Sequence, residues 1–280
     1  METGKPSGTA LRVATVRASH RLLDDPILFD DPLALAILGP EAEAAMRADP
    51  MRYNDPMSRG LRGALVVRSR VAEEEVARAV SAGVRQYVVL GAGLDTFAYR
   101  NPFAGLRVFE LDHPATQAWK RDCLAKAGIS IPDTLSFAPI DFEKGGTLAD
   151  TLTAAGFDRA APACFSWLGV TVYLTEDAVY DTLDWIAGSA PGSSVTFDFR
   201  EPPEQLNPVE RSITEKVMAW AAESGEPWIA AFDPAALRAR LMELGFDRAE
   251  ALLPDELNQR YMAGRKDGLI TRVRLMQAWR

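Results

Sequence analysis

The stretch Val88-Val89-Leu90-Gly91-Ala92-Gly93-Leu94-Asp95-Thr96 carries the most chemical content in this chain. A short apolar run of the kind that forms a buried strand leads straight into a Gly-x-Gly turn, where missing side chains let a ligand approach the backbone. The third glycine of the dinucleotide fingerprint would fall at position 96, and the residue there is Thr. Asp95 stands beside the turn. It is a poor neighbour for a pyrophosphate and a good one for a ligand bearing an ammonium or a sulfonium. Taken alone, Gly91 and Gly93 also fit a plain tight turn between strand and helix.

Two more strand ends shift that balance. Val108-Phe109-Glu110-Leu111-Asp112 follows at the distance where an acid commonly holds ribose hydroxyls. Glu110 and Asp112 alternate onto one face, so either could serve, and Asp112 lies nearer the carboxyl end, where open α/β sheets bind their ligands. Pro139-Ile140-Asp141-Phe142 ends the next apolar run. Asp141 can accept a hydrogen bond from the exocyclic amine of an adenine, and Phe142 can cover the ring. Together the turn, the acid and the acid–aromatic pair read as a nucleoside site.

The elements that must position these residues follow from hydrophobic patterning. Apolar runs at Gln86–Leu90, Arg107–Leu111, Leu135–Ala138, Ala163–Trp167 and Ser194–Phe199 read as buried parallel strands. Helical stretches at about 114–128, 146–155 and 175–189 lie between them, as βαβ units require. The spacing upstream, from Ala10 to about Arg85, is helical and broken by Asp-Pro turns; Ser58 to Ala82 reads as one long helix stopped by Gly83. The triple Glu at 73–75 reads as a solvated face of that helix. A Pro-rich stretch with a helical segment, Pro208–Ser224, interrupts the alternation after the fifth strand. Helix 234–244 and the runs near 246–253 and 269–279 then complete the α/β pattern.

Composition bounds the function. Lys plus Arg is 31 and Asp plus Glu is 39, a net charge of −8, and no clustered basic face is visible, so nucleic acid is a poor partner. Two Cys and two His make neither a disulfide framework nor a His-rich metal site, and no metal is expected. There is no apolar signal-peptide core and no run of membrane-spanning length, which predicts a cytoplasmic protein without membrane contact.

The runs GAGLDTFAYR, VFELDHPATQAWK, IDFE and SWLGVTVYLT, with RASHRLLDDPILFDDPLA and VVRSRVAEE upstream, resemble the leucine carboxyl methyltransferase-like group. These are class I S-adenosylmethionine-dependent O-methyltransferases, with many bacterial members acting on small molecules. The resemblance covers most of residues 10–200 and fades beyond, where acceptor specificity is expected. It implies a Rossmann-like α/β fold in one domain: an N-terminal helical cap (1–84), a cofactor-binding core (85–200), an inserted lid (201–231) and a C-terminal part of the core (232–280). It also implies that Arg68, in Val67-Arg68-Ser69-Arg70, grips the methionine carboxylate of S-adenosylmethionine. Gly91 and Gly93 match the turn at the methionine moiety, Asp112 the ribose contact, and Asp141 and Phe142 the adenine contacts. One departure stands out. Relatives often place an acid at the start of E-G-x-x-x-Y-L, where this chain has Leu168.

On the acceptor side the candidates are weaker. His20, in the N-terminal helical region, could be a general base or a surface or capping residue; His113 reads as shaping the start of the next helix. Tyr173 and Arg200, near strand ends, could orient an acceptor, or could be core and solvated loop respectively. Trp220 and Trp228 could line an apolar pocket or pack in the core. The expected reaction is methyl transfer to an oxygen of a small-molecule carboxylate or hydroxyl, as in secondary metabolism. The absence of an obvious base leans toward a carboxylate, which is already ionised. Two alternatives remain at this level. An NAD(P)-dependent oxidoreductase would explain the strand, Gly-x-Gly and later acid, but not the missing third Gly, Asp95 or the lack of a Tyr-x-x-x-Lys pair. A non-catalytic S-adenosylmethionine-binding protein would explain Leu168.

Overall fold

A computed structural model describes residues 8–140, 147–223 and 225–280. Three helices come first: α1 (Gly8–Leu23), α2 (Pro40–Ala48) and α3 (Pro56–Ser81). The long helix α3 starts where its sequence demands. The Asp55 carboxylate accepts from the Met57 and Ser58 amides, and Pro56 occupies the first turn, where its missing N–H costs nothing. It stops just short of Gly83, which sits at φ +100, a conformation that favours glycine.

Among the described residues the sheet has seven strands: β1 (Gln86–Leu90), β2 (Arg107–Asp112), β3 (Leu135–Pro139), β4 (Cys164–Trp167), β5 (Ser194–Phe199), β6 (Arg248–Leu252) and β7 (Arg274–Trp279). Their order is β3-β2-β1-β4-β5-β7-β6. The first five run parallel, and β7 inserts antiparallel between β5 and β6. Helices α4 (Pro114–Lys126), α5 (Leu148–Ala154) and α6 (Glu176–Ala187) are the expected crossovers. Helix α7 (Pro208–Glu223) occupies the interruption after β5, followed by α8 (Pro234–Leu244) and α9 (Pro254–Tyr261). All five expected strands form within one residue of their anticipated ends.

Strand β1 shows why its run is almost wholly apolar. Val88 and Leu90 point into a cluster with Phe109, Phe165, Trp167 and Phe197, which α6 and α8 cover with Val179, Leu183, Leu237 and Leu241. Tyr87 and Val89 point to the other face, toward Phe97, Val108 and the α3 residues Val76 and Ala79. Both faces are therefore dry. On its way, α3 passes the segment leading to β7 so closely that a Cβ on Gly63 would lie 1.9 Å from the Ile270 carbonyl oxygen. The chain builds outward from β1 to β2 and β3, then crosses back to place β4 on the other side of β1, so the strand order reverses between β1 and β4. That reversal opens a crevice at the carboxyl ends of β1 and β4. Among the described residues, no helix is long and apolar enough to cross a membrane.

Candidate active site

A cavity of about 360 Å³ fills this crevice. Its floor is the turn after β1. Gly91 lies at φ +69 and Gly93 at φ +45; Gly91 has no room for a side chain, and Gly93 packs tightly against α1. A Cβ on Gly91 would come within 2.3 Å of the Val170 Cγ2, and one on Gly93 within 3.2 Å of the Ala10 Cβ. Asp112, at the end of β2, holds the turn in place: one carboxylate oxygen accepts from the Gly93 amide at 2.6 Å, the other from the His113 amide at 2.7 Å. Burial pushes its carboxyl up, and these two hydrogen bonds pull back toward the ionised form. Each oxygen keeps a lone pair for a further donor.

Glu110, the other acid on that strand, is not at the cavity. It is buried, with the Lys120 ammonium 2.6 Å away, and burial, only partly offset by Lys120, pushes its carboxyl up to about 7. Of the two acids, the structure places Asp112 at the cavity and Glu110 away from it. His113 caps α4, its Nδ1 accepting from the Ala115 amide at 3.2 Å, as the sequence suggested. Asp141 and Phe142 lie outside the described residues.

The far wall comes from the helical region and the loop after β4. Arg68, on α3, lines the cavity, and its Nη1 donates to the Asp198 carboxylate at 2.6 Å. Glu73, one turn further along, also lines the cavity, and its carboxylate takes Nη1 of Arg100 at 2.8 Å. Burial raises its pKa against the pull of Arg100. The triple Glu is therefore no solvated face: Glu74 accepts from Arg70 and Tyr261, and buried Glu75 from Arg78 and the Trp279 indole. The run of like charge suggested one solvated face, but each Glu meets its own partners: Glu73 meets Arg100, Glu74 meets Arg70 of the same helix with Arg260 and Tyr261 of α9, and Glu75 meets Arg78 of the same helix and Trp279 of β7. Arg17, on α1, joins the cavity to this charge network. It donates to the Leu94 carbonyl at 2.7 Å and lies 3.2 Å from Asp31 and 3.6 Å from Asp95. Asp95 thus shares its charge with a buried guanidinium.

Two acceptor-side expectations are corrected. His20 is fully buried and away from the cavity. Its Nδ1 faces Asp24 at 2.7 Å, and its Nε2 accepts from the Leu28 and Phe29 amides at 2.9 and 3.2 Å. Both ring nitrogens serve the fold, so His20 is neither a base for an acceptor nor a surface residue. Arg200 does not line the cavity either. It donates to the Ile229 and Ala230 carbonyls and so ties the segment before α8 to the end of β5. Tyr173 does line the cavity, and burial raises its phenol. Trp220 is half-exposed beneath the Arg12 guanidinium, 4.0 Å from ring centre to Cζ, and Trp228 is not in the lining.

The roof is formed by α1, through Thr9, Ala10, Val13 and Ala14, and by Gly225, Glu226, Pro227 and Ile229. The Thr9 hydroxyl donates to the Glu226 carboxylate across this seam. Leu168 packs with Phe29, Val66 and Val67 while touching the cavity. Arg17, Glu73, Asp198 and Glu226 escaped the sequence reading. Only Asp198 left a signal there, as the one charged residue in the strand run Ser194–Phe199. Among the described residues, no group of three His, Cys, Asp or Glu is placed to hold a metal ion.

Comparison with known proteins gives this geometry its family. A family model described as leucine carboxyl methyltransferase matches residues 10–187. YktD of Bacillus subtilis (strain 168), whose name places it among S-adenosyl-L-methionine-dependent methyltransferases, is 31% identical over 292 residues, spanning 96% of this chain and 95% of that protein. A Frankia alni protein with the same kind of name is 35% identical over 199 residues, 68% of each chain. The crystal structure of a Thermobifida fusca YX protein, named for methyltransferase activity, superposes with a TM-score of 0.58 at 18% identity, covering 100% of this chain and 96% of that one; it shares the fold. The oxidoreductase and non-catalytic alternatives give way to this finding. The chain belongs to the leucine carboxyl methyltransferase family and is an S-adenosylmethionine-dependent methyltransferase with the Rossmann-like class I fold.

Proposed function

We propose that this cavity holds S-adenosylmethionine and that the methyl group passes to an oxygen of a small molecule, a carboxylate or a hydroxyl, in secondary metabolism. The observation that carries the reading is the Gly91–Gly93 turn, pinned by Asp112 at the carboxyl end of β1 and faced by Arg68. The donor set fits the cofactor's chemistry. A guanidinium can meet the methionine carboxylate with paired hydrogen bonds, and Asp112 retains lone pairs for ribose hydroxyls. Glu73 and Asp95, which also line the cavity, would offer negative charge to a ligand carrying an ammonium and a sulfonium. When bound, the cofactor supplies an electrophilic methyl group on sulfur.

The chain's own contribution is then placement and exclusion of water. Val170, Leu174, Pro227 and Ile229 make the acceptor wall apolar, and Tyr173 offers a hydroxyl to orient an acceptor. A cavity of this size admits a small acceptor better than a folded partner, which also argues against nucleic acid or a membrane surface as substrate. The test is calorimetric binding of S-adenosylhomocysteine, with NADH and NADPH in parallel. Binding of the homocysteine product alone is the expected result. Binding of a nicotinamide cofactor alone would refute the reading. Arg68→Ala and Asp112→Ala, if folded, should each weaken the homocysteine product at least tenfold; unchanged affinity removes that residue from the site.

A further inference from the structure

Asp198 lies at the end of β5, outside the cavity lining, yet its carboxylate links two residues that do line it. One oxygen accepts from Arg68 Nη1 and the other from the Gly169 amide, both at 2.6 Å. Its own carbonyl takes the Thr171 hydroxyl at 2.6 Å, which fixes the same loop from behind. Gly169, at φ +75, lies against the guanidinium: a Cβ there would stand 2.8 Å from one Arg68 nitrogen and 3.1 Å from the other. Arg68 is thus held between a carboxylate and a bare stretch of backbone, and only 12% of either side chain of the ion pair is exposed.

A guanidinium offers five N–H donors in a rigid plane. Spending one on Asp198 leaves the others for a ligand and fixes the plane in which they lie. Without that partner, Arg68 would be a long, flexible cation that loses rotamer freedom each time it binds. Without Arg68, the Asp198 carboxylate would be left buried with a single amide.

We infer that Asp198 is a positioning residue that sets the Arg68 guanidinium, together with the Gly169 turn, to receive the cofactor's carboxylate. The inference rests on the reading of Arg68 as the carboxylate-binding residue. It adds that the binding strength of Arg68 is lent by an acid on β5 that lies outside the cavity lining. The signature is a selective loss. Ligands that carry the amino-acid carboxylate should suffer, and ligands that lack it should not.

The experiment compares S-adenosylhomocysteine with 5′-methylthioadenosine, which keeps the nucleoside and sulfur but has no carboxylate. Calorimetric affinities of both are measured on the intact wild-type chain and on Arg68→Ala, Asp198→Asn, Asp198→Glu and the Arg68→Ala/Asp198→Asn double variant. The expected result is that wild type prefers the homocysteine product strongly and Arg68→Ala loses that preference. Asp198→Asn should lose about tenfold or more of it, while methylthioadenosine binds each variant within about twofold of wild type. Asp198→Glu, which keeps the charge on a longer arm, should recover part of the preference, and Asp198→Asn should add nothing in the Arg68→Ala background. If Arg68→Ala keeps the preference, the reading of Arg68 fails. If Arg68→Ala loses it but Asp198→Asn retains it, the positioning role alone fails. Equal weakening of both ligands by Asp198→Asn likewise overturns that role, because it marks a residue that serves only the fold.

Discussion

The least forgiving residue of the site is Gly91. Its φ of +69 lies in the left-handed region, and the position of a Cβ is already claimed by Val170. Gly91→Ala is expected to cost about 1–3 kcal/mol in backbone strain, and the overlap with Val170 adds to that. A lower urea midpoint together with lost binding of S-adenosylhomocysteine would show both effects; an unchanged midpoint would mean that the turn relaxes. Glu110 makes a prediction about pH. Burial, against the pull of Lys120, raises its folded-state value from the ordinary 4.5 to about 7. The folded protein then binds this proton more tightly than the unfolded chain does. The resulting contribution to stability is complete below about pH 4.5 and lost as pH rises through about 7. Glu110→Gln should flatten that part of the stability profile, and an unaltered slope would reject the assignment. At this scale the sequence was legible wherever a residue's role depends on its neighbours in the chain, as for Gly91, Gly93 and His113. It was silent on Arg17, Glu73 and Glu226, whose partners come from remote elements.

Among the elements, α3 does the most. Its 26 residues span ~39 Å, long enough to carry Arg62 at one end, Arg68 and Glu73 at the cavity, and Glu75 against Trp279 at the other. Arg62, 1% exposed, makes a two-pronged contact with Asp24 at 2.6 and 2.9 Å, and Asp24 also takes His20. Burial alone would raise the Asp24 carboxyl, but the hydrogen bonds from His20 and Arg62 outweigh it and hold the pKa below 3.8. Its contribution to stability is therefore present above pH 3.8 and lost as the pH falls further. Asp24→Ala should cost about 3–5 kcal/mol, because it strands a buried guanidinium. A thermal midpoint close to that of wild type would show that water replaces the lost carboxylate. Strand and helix positions were readable because apolar runs and Asp-Pro breaks are local signals. The buried ion pairs that bind α1 to α3 were not, since an Asp or Arg in a helical stretch looks the same whether it faces solvent or a partner 38 residues away.

For the molecule as a whole, the strand order could be anticipated as an open parallel sheet, but the placement of β7 between β5 and β6 could not. Antiparallel insertion depends on the path of the chain through α8 and α9, and the final apolar run fits several positions. Ligand linkage then applies to the entire fold: S-adenosylhomocysteine at about a hundred times its dissociation constant should add roughly 2.7 kcal/mol to stability.

The roof over the cavity has a kinetic consequence. Ala10 packs beside the glycine turn, and Thr9 is bonded across the seam to Glu226, so α1 and the segment before α8 are tied together over the cavity. Parting of this seam is therefore expected to set the residence time of S-adenosylhomocysteine. Stopped-flow association of S-adenosylhomocysteine should accordingly level off with concentration at the opening rate, and Thr9→Ala should raise that plateau. A rate that climbs linearly without limit would mean that the seam is no barrier.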